Sequence, residues 1–417
     1  MFALVDINGF YAAAEAVFDL SLRRRPVIVL TNNDGCVCAM NSRAKALNIP
    51  RFAPYFKVKD RCQQHQVAVR SSNYELYADL SARFSQTLAQ FCSNMHVYSI
   101  DEVFLDLTGM APLWPNFEQL GHAIRRCIWT QLRLPVSVGI ANTLTLAKAA
   151  NHAAKKLAGY QGVCVIHNDQ QRQAILRQME LENIWGIGRR LAKKLPLLHI
   201  NNGLELANMK PEIAKAQVNI ELANTVRELK GEAVKSWDQV RANKQQIFST
   251  RSFGERVTDR TSLNQALVQH GAIAAKKARQ QGSLCRYMMA FAATSPFDAN
   301  PMSFKLFHTF AQGTNDSAVI AKALSAQLDK LYQPQVPYYR VGVGLLELID
   351  EQQQQLDLFC VERANPALMR CMDQINQRFG QVMQLAGEGI SKPWAMRRAF
   401  LSPQYTTRWS DIPQIRC

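Results

Sequence analysis

Two adjacent acids, Asp101 and Glu102, stand between two β-prone apolar stretches, Val97-Tyr98-Ser99-Ile100 and Val103-Phe104-Leu105-Asp106-Leu107. The pattern predicts one strand over Val97 to Ile100 and another over Val103 to Leu107, with Val103, Leu105 and Leu107 on one face. The acids then fall at or near a hairpin tip. Neighbours along a regular strand point to opposite faces, whereas at a turn two carboxylates can converge. Alone, an acidic hairpin tip is usually solvated surface. A third acid changes the reading: the apolar run Met1-Phe2-Ala3-Leu4-Val5 ends at Asp6. If that strand lies beside the hairpin, three carboxylates meet on one sheet. Like charges that close repel, and one stays protonated unless a hard cation joins them. Mg²⁺ takes oxygen ligands and is commonly held by one or two carboxylates with substrate phosphates. Two such ions stabilise both the attacking and the leaving oxygens of a phosphoryl displacement.

Val5-Asp6-Ile7-Asn8-Gly9-Phe10-Tyr11-Ala12-Ala13-Ala14-Glu15, followed by Ser99-Ile100-Asp101-Glu102, resembles the paired signature of the Y-family, translesion DNA polymerases. Either motif alone is weak; the two in this order and spacing are specific. Within that family the chain is most similar to the UmuC branch, the catalytic subunits of bacterial DNA polymerase V, from Met1 through the tail. The resemblance implies an α+β, right-hand-like polymerase: a palm sheet with helices, small fingers, a helical thumb and a β-α-β-β-α-β little finger. It implies that Asp6, Asp101 and Glu102 are catalytic and, with Ile7, hold two Mg²⁺ ions while a primer 3′-hydroxyl attacks the α-phosphate of a dNTP. The activity implied is template-directed, error-prone translesion synthesis in the SOS response to DNA damage. The partners implied are primer-template DNA, dNTP, a sliding clamp, a UmuD′ dimer and RecA.

Several elements must position these groups. After Asp6 the pattern predicts a helix that Asn8 can cap, favoured by Ala12 to Glu15. Phe10 and Tyr11 lie in its first turn. Phe10 reads at least partly as core, and the resemblance adds it to the nucleotide pocket. The resemblance makes Tyr11 the steric gate, a ring that leaves no room for a 2′-hydroxyl. Pro26 to Leu30 reads as a buried strand, Asn32-Asn33-Asp34-Gly35 as a turn, Cys36 to Met40 as a strand, and Asn41 to Leu47 as a helix bearing Arg43 and Lys45. A cation there can hold a triphosphate, or be a solvated helix face. By motif alignment Lys45 takes the place of a triphosphate-binding residue. Ser42 stands where many relatives carry tyrosine, which leaves that hydroxyl-to-phosphate contact open. Residues 10–71 form the expected fingers. A helix capped by Ser72 or Asn73 follows, with the core stripe Leu76, Leu80, Phe84, Leu88 and Phe91. Beyond the acids come a helix over Phe117 to Gln131, a strand over Val136 to Ile140, a helix over Thr143 to Leu157 and a strand over Gly162 to Ile166. Residues 1–9 and 72–166 thus read as the palm, a sheet with helices on one face. The third helix carries Lys148, Lys155 and Lys156; Lys155 and Lys156 read as a solvated basic end unless, as the resemblance implies, Lys155 reaches the triphosphate.

Residues 167–232 read as a helical thumb. Within it Ile184-Trp185-Gly186-Ile187-Gly188-Arg189-Arg190 describes a helix-hairpin-helix turn. Gly186 and Gly188 let the backbone approach closely, N–H groups at the next helix start can bind a phosphate, and Arg189 and Arg190 add charge. Such a contact holds duplex backbone without reading sequence; a tight helix connection is the plainer alternative. Residues 233–246 read as a linker and 247–350 as the little finger. Its order is a strand from Ile247, a basic helix over Leu267 to Ser283, strands Tyr287 to Ala293 and Ser303 to Phe310, a helix over Ala318 to Leu331, and a last strand over Tyr338 to Leu346. Arg251 and Arg256 on the first strand are its candidate DNA contacts. In the tail, residues 351–417, Gln355-Leu356-Asp357-Leu358-Phe359 fits the bacterial sliding-clamp motif, although short motifs recur by chance. Trp394, Arg397, Arg398 and Trp409 resemble the family's tail, whose role is protein contact.

Composition sets the class. Forty-nine basic against 33 acidic residues, a net charge of +16, suggests a polyanionic partner or simply a basic soluble protein. No apolar run reaches the ~20 residues of a membrane span, and no signal-peptide pattern opens the chain, so the expectation is a cytoplasmic protein without membrane contact. The ten cysteines are scattered and read as mostly buried free thiols. Two other readings compete. Against a nucleotidyl cyclase stand the thumb and little finger patterns; against a non-catalytic, clamp-tethered DNA-binding protein stands retention of all three acids.

Overall fold

The structure, a computed structural model, describes residues 1–237, 243–353 and 364–412. The chain forms two compact units, Met1–Gln239 with Ala399–Cys417, and Val240–Arg398.

The first unit is built on a five-stranded sheet ordered Met95–Val97, Glu102–Asp106, Phe2–Ile7, Val136–Ala141, Val163–Val165. Phe2–Ile7 is central and pairs antiparallel with both neighbours. Its run of apolar side chains is buried on both faces. Ala3, Val5 and Ile7 join a core with Phe10–Phe18, Tyr74–Leu88 and Phe117–Leu132. Leu4 and Phe104 join a second core with Leu144–Lys156 and the helices that follow. The expected one-sided sheet is therefore covered on both sides, as a continuous rather than alternating apolar strand requires.

Leu144–Lys156 lies close on the sheet because Gly139 offers no side chain there: a β-carbon would overlap the backbone of Ala147 and Asn151. Asn151, 3% exposed, donates to the carbonyls of Leu4 at 3.2 Å and Ser137 at 2.9 Å. These contacts set the helix's rotation. Lys148 and Lys155, seven residues apart, then stand on one face about two turns apart. A three-stranded sheet, Val37–Met40, Val27–Leu30 and Ala68–Ser71, follows the Phe10–Phe18 helix. From Asp169 to Lys230 the unit is helical.

Three local expectations are corrected. The hairpin strands are Met95–Val97 and Glu102–Asp106, so Tyr98 to Asp101 make the turn and Glu102 opens a strand. Asn8 does not cap the first helix. Gly9 holds that place with φ 60°, a left-handed conformation that favours glycine, while the Asn8 amide donates to Ser137 Oγ at 3.0 Å. The helix from Tyr74 ends at Leu88, short of Phe91, and its cap is Asn73, whose Oδ1 accepts from Leu76 N at 3.3 Å.

The second unit is an antiparallel sheet ordered Ser303–Thr314, Ser283–Ala293, Tyr338–Asp350, Ile247–Val257, with helices Arg260–Gln280 and Ser317–Ala326 packed in its core. The order of elements is β-α-β-β-α-β. The long helix starts at Arg260, ahead of the expected Leu267, because Asp259 Oδ1 accepts from Ser262 N at 2.7 Å and caps it. Helix Pro366–Phe379 is held by Asp373 against Arg279, with Nε···Oδ2 2.7 Å and Nη2···Oδ1 2.9 Å. The motif Gln355 to Phe359 lies outside the described residues. Four of the cysteines described (Cys62, Cys92, Cys164 and Cys285) are buried free thiols. Among the described residues, no helix is long and apolar enough to cross a membrane.

Candidate active site

Asp6 and Glu102 face each other as register partners on adjacent strands. Ile7 N donates to Asp101 O at 2.9 Å, which ties the turn to the end of the central strand. The turn is folded back on Glu102, whose carbonyl accepts from Tyr98 N at 3.0 Å and Ser99 N at 3.1 Å. The Ser99 hydroxyl lies 2.7 Å from Asp101 Oδ1 and 3.4 Å from Glu102 Oε2, within reach of both neighbouring carboxylates. All three acids thus collect at one end of the sheet.

Two lysines from the single helix face meet them. Lys155 Nζ is 2.5 Å from Asp6 Oδ1, and Lys148 Nζ is 2.8 Å from Glu102 Oε1. Burial raises the Asp6 carboxyl to about 6; Lys155 works against the rise, while Glu102 and Asp101 add to it. The site therefore carries more negative charge than its buried position favours. As placed, the carboxylates are paired with lysines and a hydroxyl, and among the described residues no three His, Cys, Asp or Glu side chains close into a metal cluster. The donor set itself, three carboxylates around a strand end, is hard oxygen throughout and fits Mg²⁺ rather than a thiolate- or imidazole-seeking metal.

Lys148 is further enclosed by rings: its Nζ lies 4.4 Å from the centroid of Tyr98, 5.4 Å from Trp185 and 5.8 Å from Phe104. Trp185 Nε1 donates to the Tyr98 hydroxyl at 3.0 Å. A cleft of ≈ 360 Å³ is lined by Asp6, Glu102, Lys148, Lys155, Trp185 and Gly186 among others, so two of the acids share one opening with the start of the glycine turn. Sequence reasoning assigned no role to Lys148, Ser99 or the ring of Trp185. The seven-residue spacing of Lys148 and Lys155 was the available signal.

Tyr11 stacks on Tyr77 with centroids 4.3 Å apart and planes at 21°, and meets Tyr74 edge-on at 6.2 Å. Burial pushes its phenol up to about 12, with Tyr74, Cys38 and Asp101 adding smaller contributions, so it stays neutral. Tyr77, which sequence reasoning passed over, donates its hydroxyl to Glu15 Oε1 at 2.6 Å. Phe10 is 2% exposed and belongs to the core behind Tyr11.

Ser42 and Lys45 are exposed on the short helix Ser42–Ala46, which Asn41 caps through Ala44 N at 3.0 Å. The Lys45 ammonium is held below the ordinary lysine value, first by the protein crowding it and then by Lys156, Arg51 and Lys155. Cations from two helices therefore converge near Asp6. Gly186 adopts φ 90°, Gly188 precedes helix Arg189–Lys194, and Arg189 and Arg190 are exposed. In the second unit Arg251 is exposed on its strand. Arg256 is committed to Asp298 through two bonds, at 2.8 and 3.0 Å, and lies 5.1 Å over Tyr339.

Residues 5–152 match the impB/mucB/samB family, and residues 244–358 match that family's C-terminal domain. The chain is 42% identical to protein UmuC of Salmonella typhimurium, with all of both chains covered. The chain belongs to the impB/mucB/samB family. It is also 26% identical to DNA polymerase IV of Bacillus anthracis, over 93% of this chain and 92% of that one. Its fold matches a Y-family DNA polymerase chimera of Dbh and Dpo4 with TM-score 0.64 at 20% identity, covering 84% of this chain and all of the other. This impB/mucB/samB chain is thus a Y-family DNA-directed DNA polymerase of the translesion kind. Residues 366–415 match a domain of unknown function.

Proposed function

We propose that this polymerase extends a primer past damaged template bases by nucleotidyl transfer at Asp6, Asp101 and Glu102. The observation that carries the reading is the register pairing of Asp6 with Glu102, with Asp101 drawn to Glu102 by one serine hydroxyl. Asp6, Ile7 through its carbonyl, Asp101 and Glu102 would hold two Mg²⁺ ions. Such ions, when bound, neutralise phosphate charge and activate the primer 3′-hydroxyl. The chain's own work is positioning and charge stabilisation. Lys155 and Lys45 hold the triphosphate, and the Tyr11 ring occupies the space a 2′-hydroxyl needs. Ser42, exposed beside Lys45, offers a hydroxyl where relatives of the family carry a phenol.

The domain reading follows. Residues 1–9 and 72–166 serve as palm, 10–71 as fingers, 167–232 as thumb and 247–350 as little finger. Gly186, Gly188, Arg189 and Arg190 hold duplex backbone from the thumb and Arg251 from the little finger. Arg256, paired with Asp298, contributes only by exchanging that partner for a phosphate. Fingers this small close weakly over the base pair, so shape discriminates little and fidelity is low. Gln355 to Phe359 tether the enzyme to the sliding clamp, and a UmuD′ dimer and RecA complete the assembly that acts in the cytoplasm during the SOS response.

The deciding experiment is primer extension with Mg²⁺ and dNTPs, by the full-length chain alone and with those partners. Asp101→Asn and Glu102→Gln should each abolish extension and leave DNA binding nearly intact. Near-normal extension by either folded variant would sink the assignment. Changing Gln355, Leu358 and Phe359 to alanine should remove clamp stimulation on long templates and leave short-oligonucleotide synthesis unchanged, because interface anchors of this kind carry most of the binding.

A further inference from the structure

The last described segment, 399–412, falls in the region that matches a domain of unknown function. It packs within the first unit and is anchored at Ala399, Phe400 and Tyr405. Ala399 N donates to Asp34 Oδ2 at 2.8 Å. Ser71 N donates to Phe400 O at 3.0 Å, and Phe400 N to Ser71 Oγ at 2.9 Å. The Phe400 ring meets Tyr55 edge-on at 5.8 Å, and Tyr405 stacks on Phe18 at 4.8 Å.

Between these anchors Ser402, 7% exposed, is inserted at the start of helix Tyr74–Leu88. The Asn73 amide, fully buried, reaches Ser402 Oγ at 2.9 Å, Ser402 O at 3.1 Å and Pro403 O at 3.2 Å. Ser402 Oγ in turn donates to Glu15 Oε1 at 3.1 Å. That same oxygen accepts the Tyr77 hydroxyl at 2.6 Å, and the Tyr77 ring is the one stacked on Tyr11.

Glu15 is 1% exposed. Burial raises its pKa; the two hydroxyls, and Arg70 with Nε 3.8 Å from Oε2, act in the opposite direction. Tyr77 is completely buried, so it cannot touch a nucleotide and acts only through its neighbour. A stack of two rings resists sliding weakly by itself. A hydroxyl bonded to a charged acceptor adds direction and roughly twice the strength of a neutral bond. The arrangement is a relay from the tail to the sugar-facing ring: Ser402, Glu15, Tyr77, Tyr11.

We propose that the tail segment from Ala399 to Tyr405 positions the sugar gate, and that discrimination between deoxyribo- and ribonucleotides depends on its being seated. Ser402, Glu15 and Tyr77 are positioning residues in this scheme. The proposal rests on Tyr11 being the gate, and its test separates the two ideas.

Single-nucleotide insertion of a dNTP and the matching rNTP is measured opposite one template base, in the assembly that extends a primer. The chains compared are native, Ser402→Ala, Ser402→Thr, Tyr77→Phe and Tyr11→Ala, all full-length. Tyr77→Phe keeps the ring and its stack, so it isolates the hydroxyl from any general failure to fold. Ser402→Ala and Tyr77→Phe should each lower the ratio of kcat/KM for dNTP over rNTP by roughly 3- to 10-fold, the factor a single hydrogen bond commands. The change should come from faster ribonucleotide insertion. Ser402→Thr, which keeps the hydroxyl, should hold the native ratio. Native discrimination in both loss variants beside a relaxed Tyr11→Ala overturns the proposal and leaves the gate standing. So does an equal loss with both sugars. An unchanged ratio in Tyr11→Ala overturns the gate, and the proposal with it.

Discussion

Removing the Lys148 ammonium tests whether the acidic end of the sheet is held by counter-charge. Its Nζ lies 2.8 Å from Glu102 Oε1, and the two side chains are only 15% and 20% exposed. At that separation the gross attraction is about 6 kcal/mol for an effective dielectric of about 20. Desolvation of both groups offsets most of it, and a charged hydrogen bond of this kind nets roughly 1.5–3 kcal/mol. The rings of Tyr98, Trp185 and Phe104 around the ammonium add about 1 kcal/mol. Lys148→Met is therefore expected to cost about 3 kcal/mol, because it leaves the Glu102 carboxyl without its partner beside Asp101 and Asp6. Glu102→Gln should cost about 1 kcal/mol or less, since it also removes a like charge. The double variant should recover about 2 kcal/mol relative to the sum. Denaturant or thermal unfolding followed by tryptophan fluorescence measures all four proteins; 3 kcal/mol corresponds to a shift of roughly 6–12 °C for a unit of this size. Additivity within about 0.5 kcal/mol would show that the pair is not coupled and that something else holds Glu102 in place.

Three further outcomes are expected. His270 is 4% exposed, its Nδ1 lies 2.8 Å from Ser249 Oγ, and burial, then Arg251 and Lys277, depress its pKa to about 4. Its folded value lies below the unfolded value of about 6.5, so the stability it contributes is present above that pH and is lost as pH falls toward 4: about 2–3 kcal/mol by pH 4.5. Urea midpoints at pH 7 and 4.5 should separate more for the native chain than for His270→Gln, and equal separations would refute the burial argument. Gly139→Ala drives a methyl into the backbone of Ala147 and Asn151 and should cost about 3 kcal/mol, at the upper end of overpacking; a native-like melting temperature would mean that the helix can lift away freely. Asp373→Ala leaves the Arg279 guanidinium, 10% exposed, without its bidentate partner. That should cost about 2 kcal/mol and open helix Pro366–Phe379 to limited proteolysis ahead of the sheet, whereas unchanged cleavage would mean that other contacts hold the helix.

The order of elements was legible in the sequence because each rests on local periodicity and caps. The continuous apolar run ending at Asp6, the apolar run from Val103 and the alternation from Ile247 all correspond to strands. The adjacency of Asp6 and Glu102 followed from assuming that two such strands pair. At two places a distant partner holds a group that looked locally available. Asn8 looked like a helix cap, yet its amide bonds Ser137, 129 positions away. Arg256 looked like a free cation for DNA, yet Asp298 holds it.

By itself, then, the sequence determined which residues could do chemistry and which segments would be strands or helices, because spacing and propensity act over a few residues. Tertiary structure alone decided how those groups are charged and held. Whether Asp6 meets Lys155, and Glu102 meets Lys148, depends on the rotation that Gly139 and Asn151 impose on one helix. Whether Tyr11 is braced depends on a serine near the other end of the chain: Ser402 reaches Glu15 across 387 positions. No local pattern encodes such a contact, since it exists only once loop closure has been overcome and the core has packed.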